Sequence, residues 1–260
     1  MMNSLWISQT GMTAQQTQLD VISHNLANLS TTGFKRNRAE FQDLIYQNLR
    51  QVGGQSSEST QLPTGMHLGL GVNAGAISRE FRQGTLQSTT NTFDLAIDGD
   101  GFFQVQMPDG TTAYTRDGTF KIDSTGQMTT SAGYPLLGGI TKMANAASAS
   151  VDVQGNVQFF DKAGAPLSGG KLDLATFVNP AGLQPVGNNL FRESQASGNP
   201  QTGDASTGGA FGEIKQGFLE NSNVNVVSEL VNMIQTQRAY EMNSKAIQTS
   251  DQMLAKLAQL

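Results

Sequence analysis

Apolar residues recur at two different periods along this chain, and the period changes twice. Near the N-terminus Leu5, Met12, Leu19 and Leu26 fall seven residues apart, with Ile22 and Leu29 at the intervening spacing. That is the seam of an amphipathic helix able to pack in heptad fashion. Residues 3–30 contain no Pro and one glycine, Gly11. Gly33 then offers a stop, because glycine tolerates left-handed backbone angles. Residues 224–260 repeat the theme with neither Gly nor Pro. Val226, Met233, Tyr240, Ile247 and Leu254 are again seven apart, and Leu230, Ile234, Ala239, Ala246, Met253 and Leu257 widen the stripe. Asn225 suits an N-cap, and Glu229 lies in the first turn, where the helix dipole favours an anion.

Between these stripes the helical period vanishes. Residues 50–75 are rich in Gln, Ser and Gly and read as extended or loop-like, with Gln55, Ser56, Ser57 and Glu58 at their centre. From about 80 to 215 short apolar runs alternate with Gly and Asp turns. Leu95-Ala96-Ile97, Phe102-Phe103-Gln104-Val105 and Leu172–Phe177 have strand character, and Pro108-Asp109-Gly110 has that of a hairpin turn. Residues 194–209 are poor in apolar side chains and read as a long exposed loop.

The expected fold is α+β. Helical segments at 1–40 and 220–260 carry seams able to pair as a coiled coil, 41–79 forms an extended linker, and 80–219 a central all-β domain. A lone amphipathic helix gains little from propensity and needs a partner for its apolar face. Each stripe by itself equally describes the inner face of an ordinary core helix. Placement at both ends of a chain with a β-rich middle favours pairing with each other and with copies of the same chain.

Composition removes several function classes. The formal charge is -5, from 16 Lys+Arg and 21 Asp+Glu, which does not suit binding along a phosphate backbone, so no nucleic-acid partner is expected. There is no cysteine, hence no disulfide or thiolate site. No stretch approaches a membrane span, and no membrane insertion is expected. The first residues show no basic region followed by an apolar core, so no cleavable secretory signal is expected. His24 and His67 are far apart in sequence and lack clustered carboxylates, which argues against a metal site. Asp98-Gly99-Asp100-Gly101 fails the calcium-loop pattern at Ala96 and Phe102 and reads as a β-turn. Gly69-Leu70-Gly71 opens no helix that could hold a dinucleotide phosphate. Catalytic motifs are missing, and neither a cofactor nor an enzymatic activity is expected.

Three separated motifs, in order, resemble those of the flagellar rod and hook axial proteins. The first is Asn25-Leu26-Ala27-Asn28, running on to Gly33-Phe34-Lys35. The second comprises Asp98–Phe103 and Tyr114–Phe120. The third runs from Ser222 to Ile234 and on through Gln237–Glu241 and Asn243–Ala246. Within that family the length and the stretch Tyr46–Val72, with Gln55–Glu58 and Leu62–Gly65, look most like distal rod members; proximal rod or hook members are the alternative. The resemblance implies a structural subunit that polymerises into a helical drive shaft. The shaft transmits torque to the hook and encloses an export channel lined by the terminal helices. The implied interface comprises Leu5, Met12, Leu19, Ile22, Leu26, Leu29, Val226, Leu230, Met233, Ile234, Tyr240, Ile247 and Leu254. Implied partners are the chain itself, proximal rod and hook proteins, the peptidoglycan-ring and outer-membrane-ring proteins as bushing, and the type III export apparatus and rod cap. The implied location is the basal-body rod, from the periplasm to the outer membrane. Phe41 and Ile45 fit a short aromatic-x-x-x-aliphatic export pattern.

Overall fold

The computed structural model describes residues 2–50, 55–57, 60–61, 64–138, 140–142, 146–167, 169–205 and 211–257. The chain divides into two compact units. One comprises Met1–Leu26, Asn37–Ser78 and Asn225–Leu260; the other comprises Ala27–Arg36 and Arg79–Val224.

The first unit contains both long helices, α1 (Met2–Ala27) and α2 (Val226–Leu257). The start of α2 is where the sequence places it. Asn225 Oδ1 accepts a hydrogen bond from the Ser228 amide at 3.1 Å, satisfying one of the open N–H groups of the first turn. The described residues of and around the Gln/Ser/Gly stretch fold back on one another in nested strand pairs. β1 (Asn37–Asp43) pairs with β6 (Val72–Arg79), β2 (Tyr46–Arg50) with β5 (Met66–Gly69), and β3 (Gln55–Ser57) with β4 (Thr60–Gln61). Backbone hydrogen bonds hold such a ribbon without needing an apolar face, so no alternation marks it in the sequence. The ribbon rests on α1 where Gly71, at φ +121°, leaves room for a helix side chain. A Cβ there would lie 2.2 Å from Thr10 Oγ1.

The second unit is all-β. It contains β7 (Leu86–Ser88), β8 (Leu95–Asp98), β9 (Phe102–Gln106), β10 (Thr112–Thr115), β11 (Lys121–Ile122) and β12 (Met128–Thr129). There follow β13 (Ala146–Val151), β14 (Asn156–Asp161), β15 (Gly170–Lys171), β16 (Asp173–Thr176), β17 (Gln184–Gly187) and β18 (Leu190–Arg192). The last are β19 (Gln201–Asp204), β20 (Glu213–Gln216) and β21 (Phe218–Glu220). The main sheet has the order β17-β18-β10-β9-β16-β19. Side chains alternate between its faces, so the consecutive Phe102 and Phe103 of β9 enter different cores. Phe103 joins Leu95, Ile97, Phe120, Phe159 and Leu174, whereas Phe102 joins Tyr114, Ala175, Phe177 and Phe191. This explains why the strands carry double apolar runs instead of clean alternation.

The hairpin at Pro108-Asp109-Gly110 joins β9 to β10. Asp109 Oδ1 accepts from the Thr111 amide at 3.0 Å and from its hydroxyl at 2.6 Å. The long loop expected at 194–209 is a correction. Within it, Gln201–Asp204 forms β19, paired antiparallel to β16, and Ser197 and Ala205 are buried. An edge strand facing water needs few apolar residues, which is why its composition resembles a loop. Residues 206–210 lie outside the described residues.

Candidate assembly site

Each helix has one face packed within the chain, and on α2 that face is polar. On α2 the buried positions are Glu229, Thr236 and Ser250. Asn243 lies on the same line against Gly11 of α1, where a Cβ would meet its Nδ2 at 3.0 Å. On α1 the buried positions are Ala14, Val21, Ile22 and Asn25. Helical residues advance by ~100° each, which places Val227, Leu230, Val231, Ile234 and Met242 on the side of α2 opposite its polar line. These side chains are exposed, Val227 by 71%, Ile234 by 52% and Met242 by 64%.

The interface residues read from the sequence therefore separate into groups. Val226, Met233, Ile247 and Leu254 are half-buried beside the polar line, and Tyr240 is exposed. Leu230 and Ile234 belong to the outward face and do not widen the packed seam. On α1 only Ile22 is on the buried face; Leu5, Met12, Leu19 and Leu26 run along the other side and are half-buried, as is Leu29 beyond the helix. Sequence periodicity finds apolar lines. It cannot tell which line is used inside the protomer when small and polar residues pack more closely.

The ribbon adds a second exposed apolar surface. Phe41, Ile45, Tyr46, Leu49, Met66 and Leu68 all face solvent, Ile45 by 80%. The candidate export pair Phe41 and Ile45 lies here. Gln55, Ser56 and Ser57 run through β3, and Glu58 lies outside the described residues, as do Leu62 and Pro63.

The motif residues perform internal fastening. Asn25 is buried, and its amide mimics a strand neighbour: Nδ2 donates to Asn37 O and Oδ1 accepts from Asn37 N, both at 2.8 Å. In the second unit Lys35 of the first motif and Gly99 and Arg116 of the second meet Glu220 at one buried charge cluster. Lys35 Nζ donates to Glu220 Oε1 at 2.6 Å and to Arg82 O at 3.0 Å. Glu220 Oε2 faces Arg116 Nη1 at 3.4 Å, and Arg116 Nη2 donates to Gly99 O at 2.7 Å. Glu220 Oε1 also accepts from the Gly84 amide at 2.8 Å. Lys35, Arg116 and Glu220 are each at most 4% exposed. Burial pushes the Lys35 ammonium below its usual pKa, and the Glu220 charge opposes that shift. Phe34 is buried alongside, and Arg116 stacks over the Phe102 ring at 5.4 Å.

Glycines set the close approaches around the cluster. Gly33, at φ +66°, donates its amide to Glu220 O at 2.8 Å, and a Cβ on it would lie 2.6 Å from the Arg116 carbonyl carbon. A Cβ on Gly118 would lie 1.6 Å from Leu95 O. Next to the cluster, Arg36 N donates to Asn223 Oδ1 at 2.7 Å, and Asn223 Nδ2 donates to Glu80 O at 2.9 Å. The segment following α1 and the segment preceding α2 are thus tied side by side on the β unit. Sequence reasoning missed this cluster. Its signal was one Lys and one Arg inside otherwise apolar or Gly-rich motifs, with Glu220 just ahead of the third motif.

Exposed apolar faces of this kind suit contact with other surfaces. Among the described residues no group of three or more metal-ligating side chains occurs, and no helix is long and apolar enough to cross a membrane. Comparison with known proteins agrees in kind. The profile for the flagella basal body rod protein matches residues 5–35, and that for the C-terminal part of flagellar basal body rod FlgEFG proteins matches 215–260. The D1 domain of flagellar hook protein FlgE/F/G matches 96–159. The flagellar basal-body rod protein FlgG of Buchnera aphidicola subsp. Schizaphis graminum is 52% identical, covering 100% of both chains. The FlgG of Borreliella burgdorferi is 47% identical, covering 98% of this chain and 97% of its own. The flagellar hook protein FlgE of Helicobacter mustelae is 42% identical over 53% of this chain and 31% of its own.

Proposed function

The chain belongs to the FlgG family of flagellar basal-body rod proteins, and from that premise we propose how its surfaces build the rod. The protein is a structural subunit of the basal-body rod. It polymerises into the distal part, the drive shaft that passes torque to the hook and encloses the export channel. The observation that carries this reading is the outward apolar face of α2. Burying a Val, Ile or Met side chain gains about 1.5–3 kcal/mol, whereas the inward line of Glu229, Thr236 and Ser250 has little apolar surface to bury. The helix pair is weakly held inside the protomer and strongly driven to meet other copies. α1 and α2, with Leu5, Met12, Leu19 and Leu26 on one and Val226 to Leu254 on the other, form a coiled-coil inner layer when neighbours cover them. The β unit forms the outer layer. It meets the proximal rod and hook proteins at the ends of the shaft and the peptidoglycan and outer-membrane rings around it. Export through the type III apparatus delivers the subunit beneath the rod cap, with Phe41 and Ile45 as the exposed export pair.

The test is Ile234→Asp. The side chain is exposed, so the melting of the monomer stays within about 0.5 kcal/mol of wild type. In the polymer an unpaired carboxylate is buried at every subunit, at a cost of several kcal/mol, roughly, each time. Negative-stain microscopy of concentrated protein is expected to show straight tubes for wild type and none for the variant. Tubes of normal length from the variant would remove the outward face from the interface.

A further inference from the structure

The second unit carries a cavity of about 390 Å³, rich in polar side chains, that the rod architecture described above does not use. Thr115, Asp117, Thr130, Ser131, Asn188 and Asn189 line it. Its walls are built to hold a shape. Asn188 and Asn189 sit in left-handed conformations, φ 53° and 59°, at the turn between β17 and β18. Asn189 Nδ2 donates to Thr32 O at 3.1 Å, and Asn189 O accepts from the Thr115 hydroxyl at 2.8 Å.

Asp117 brings the only formal charge among the lining residues. Its two oxygens are used unequally. Oδ1 accepts from the Thr32 hydroxyl at 2.9 Å, the Thr119 hydroxyl at 2.8 Å and the Thr119 amide at 3.0 Å. Oδ2 receives a single long contact, from Asn189 Nδ2 at 3.5 Å. A carboxylate accepts through about four lone-pair sites, so Oδ2 keeps acceptor capacity at the cavity wall. The Thr and Ser hydroxyls and the Asn188 carbonyl add further acceptors. An anion is disfavoured by the carboxylate, and a sugar finds no aromatic ring among the lining residues to stack on. A guanidinium matches the set, since it offers five donors in a plane and pairs best with a carboxylate.

We infer that this cavity receives an arginine side chain from a neighbouring copy of the chain, which locks the outer β units of adjacent subunits together. The inference rests on the rod reading for the identity of the neighbour; the chemistry of the cavity stands on Asp117 alone.

The probe is Nα-acetyl-arginine amide, titrated into the full chain at concentrations where it is monomeric and followed by NMR of the Asn188 and Asn189 side-chain amides. Saturable shifts are expected. The neutral isostere, Nα-acetyl-citrulline amide, is expected to bind at least tenfold more weakly, and so is arginine amide to Asp117→Asn. Asp117 also holds the turn, so the exposed Asn188→Gly, which keeps the left-handed turn, provides a second variant, with binding weakened severalfold and the spectrum otherwise unchanged. Absence of saturable shifts, or equal binding of citrulline, overturns the cavity assignment. Asn188→Lys, which places a cation at the mouth, is expected to shorten or abolish tubes at unchanged melting temperature; normal tubes overturn the neighbouring copy as the occupant. Failure of the wild-type chain to form any tube counts against the rod reading, while the arginine titration still judges the cavity.

Discussion

At Lys35, Glu220 and Arg116 the chain buries three charges that would each be costly alone. Removing one partner of such a set leaves an uncompensated charge, typically worth about 3–5 kcal/mol. The three positions are not equivalent, however. Glu220 accepts from Lys35, from Arg116 and from the Gly84 amide, so it is the hub. Glu220→Gln is expected to destabilise the β unit by about 3–5 kcal/mol. Lys35→Met leaves Glu220 with Arg116 and Gly84, and its loss is expected to be smaller. Urea titration of both variants checks the order; equal losses would show that the cluster has no hub. Tyr114 offers a pH test at the same scale. Burial, with the Glu193 charge adding to it, pushes its phenol up to about 12 from an ordinary value of 10.0. The folded state then holds a proton that the unfolded state releases, so stability is lost as pH rises through that window. Phenolate absorbance followed together with circular dichroism should show ionisation of Tyr114 only as the β signal falls. Free titration near 10 with the sheet intact would contradict its burial.

In the proposed assembly, the helices give the subunit its reason to polymerise. A helix hairpin that packed its apolar lines inward would be a stable monomer. Here the inward line of α2 is Glu229, Thr236, Asn243 and Ser250, and the outward one is Val227, Leu230, Val231, Ile234 and Met242. Buried polar positions at heptad sites weaken a pair but fix its register, which suits an element whose main energy comes from other copies. The ribbon follows the same logic. A two-stranded sheet is marginal by itself, and this one exposes Ile45, Tyr46, Leu49 and Met66. Removing residues 51–63, which include β3 and β4, is expected to leave the helices able to polymerise while the tubes lose straightness. Negative-stain images of that deletion would decide the point, and uniformly straight tubes would deny the ribbon a part in stiffness.

The whole molecule is a set of fastenings between distant stretches of sequence. Thr32, Gly33, Lys35 and Arg36 reach Asp117, Arg116, Glu220 and Asn223, so the segments flanking both helices depend on the same β unit. Lys35 and Arg116, from two motifs far apart in the chain, are thereby parts of one buried site with Glu220. It also makes the β unit sensitive to both ends of the chain, since either flanking segment contributes a charge to the cluster.

Periodicity was enough to locate α1 and α2, because a 3.6-residue repeat survives whatever the helix packs against. The Asn225 cap and the Asp109 turn were equally legible, being contacts between near neighbours. Composition marked the β unit through its short apolar runs and Gly-Asp turns. The sequence could not say which side of each helix faces inward, because that depends on how closely Gly11 lets Asn243 approach. It could not show the ribbon, whose pairing lies in the backbone, or β19, whose edge position lets it be polar. Nor could it place the charge cluster or the Asp117 cavity. Those require residues more than a hundred positions apart to meet at hydrogen-bond distance, and only the packed tertiary structure brings Lys35 to Glu220 and Asn189 to Thr32.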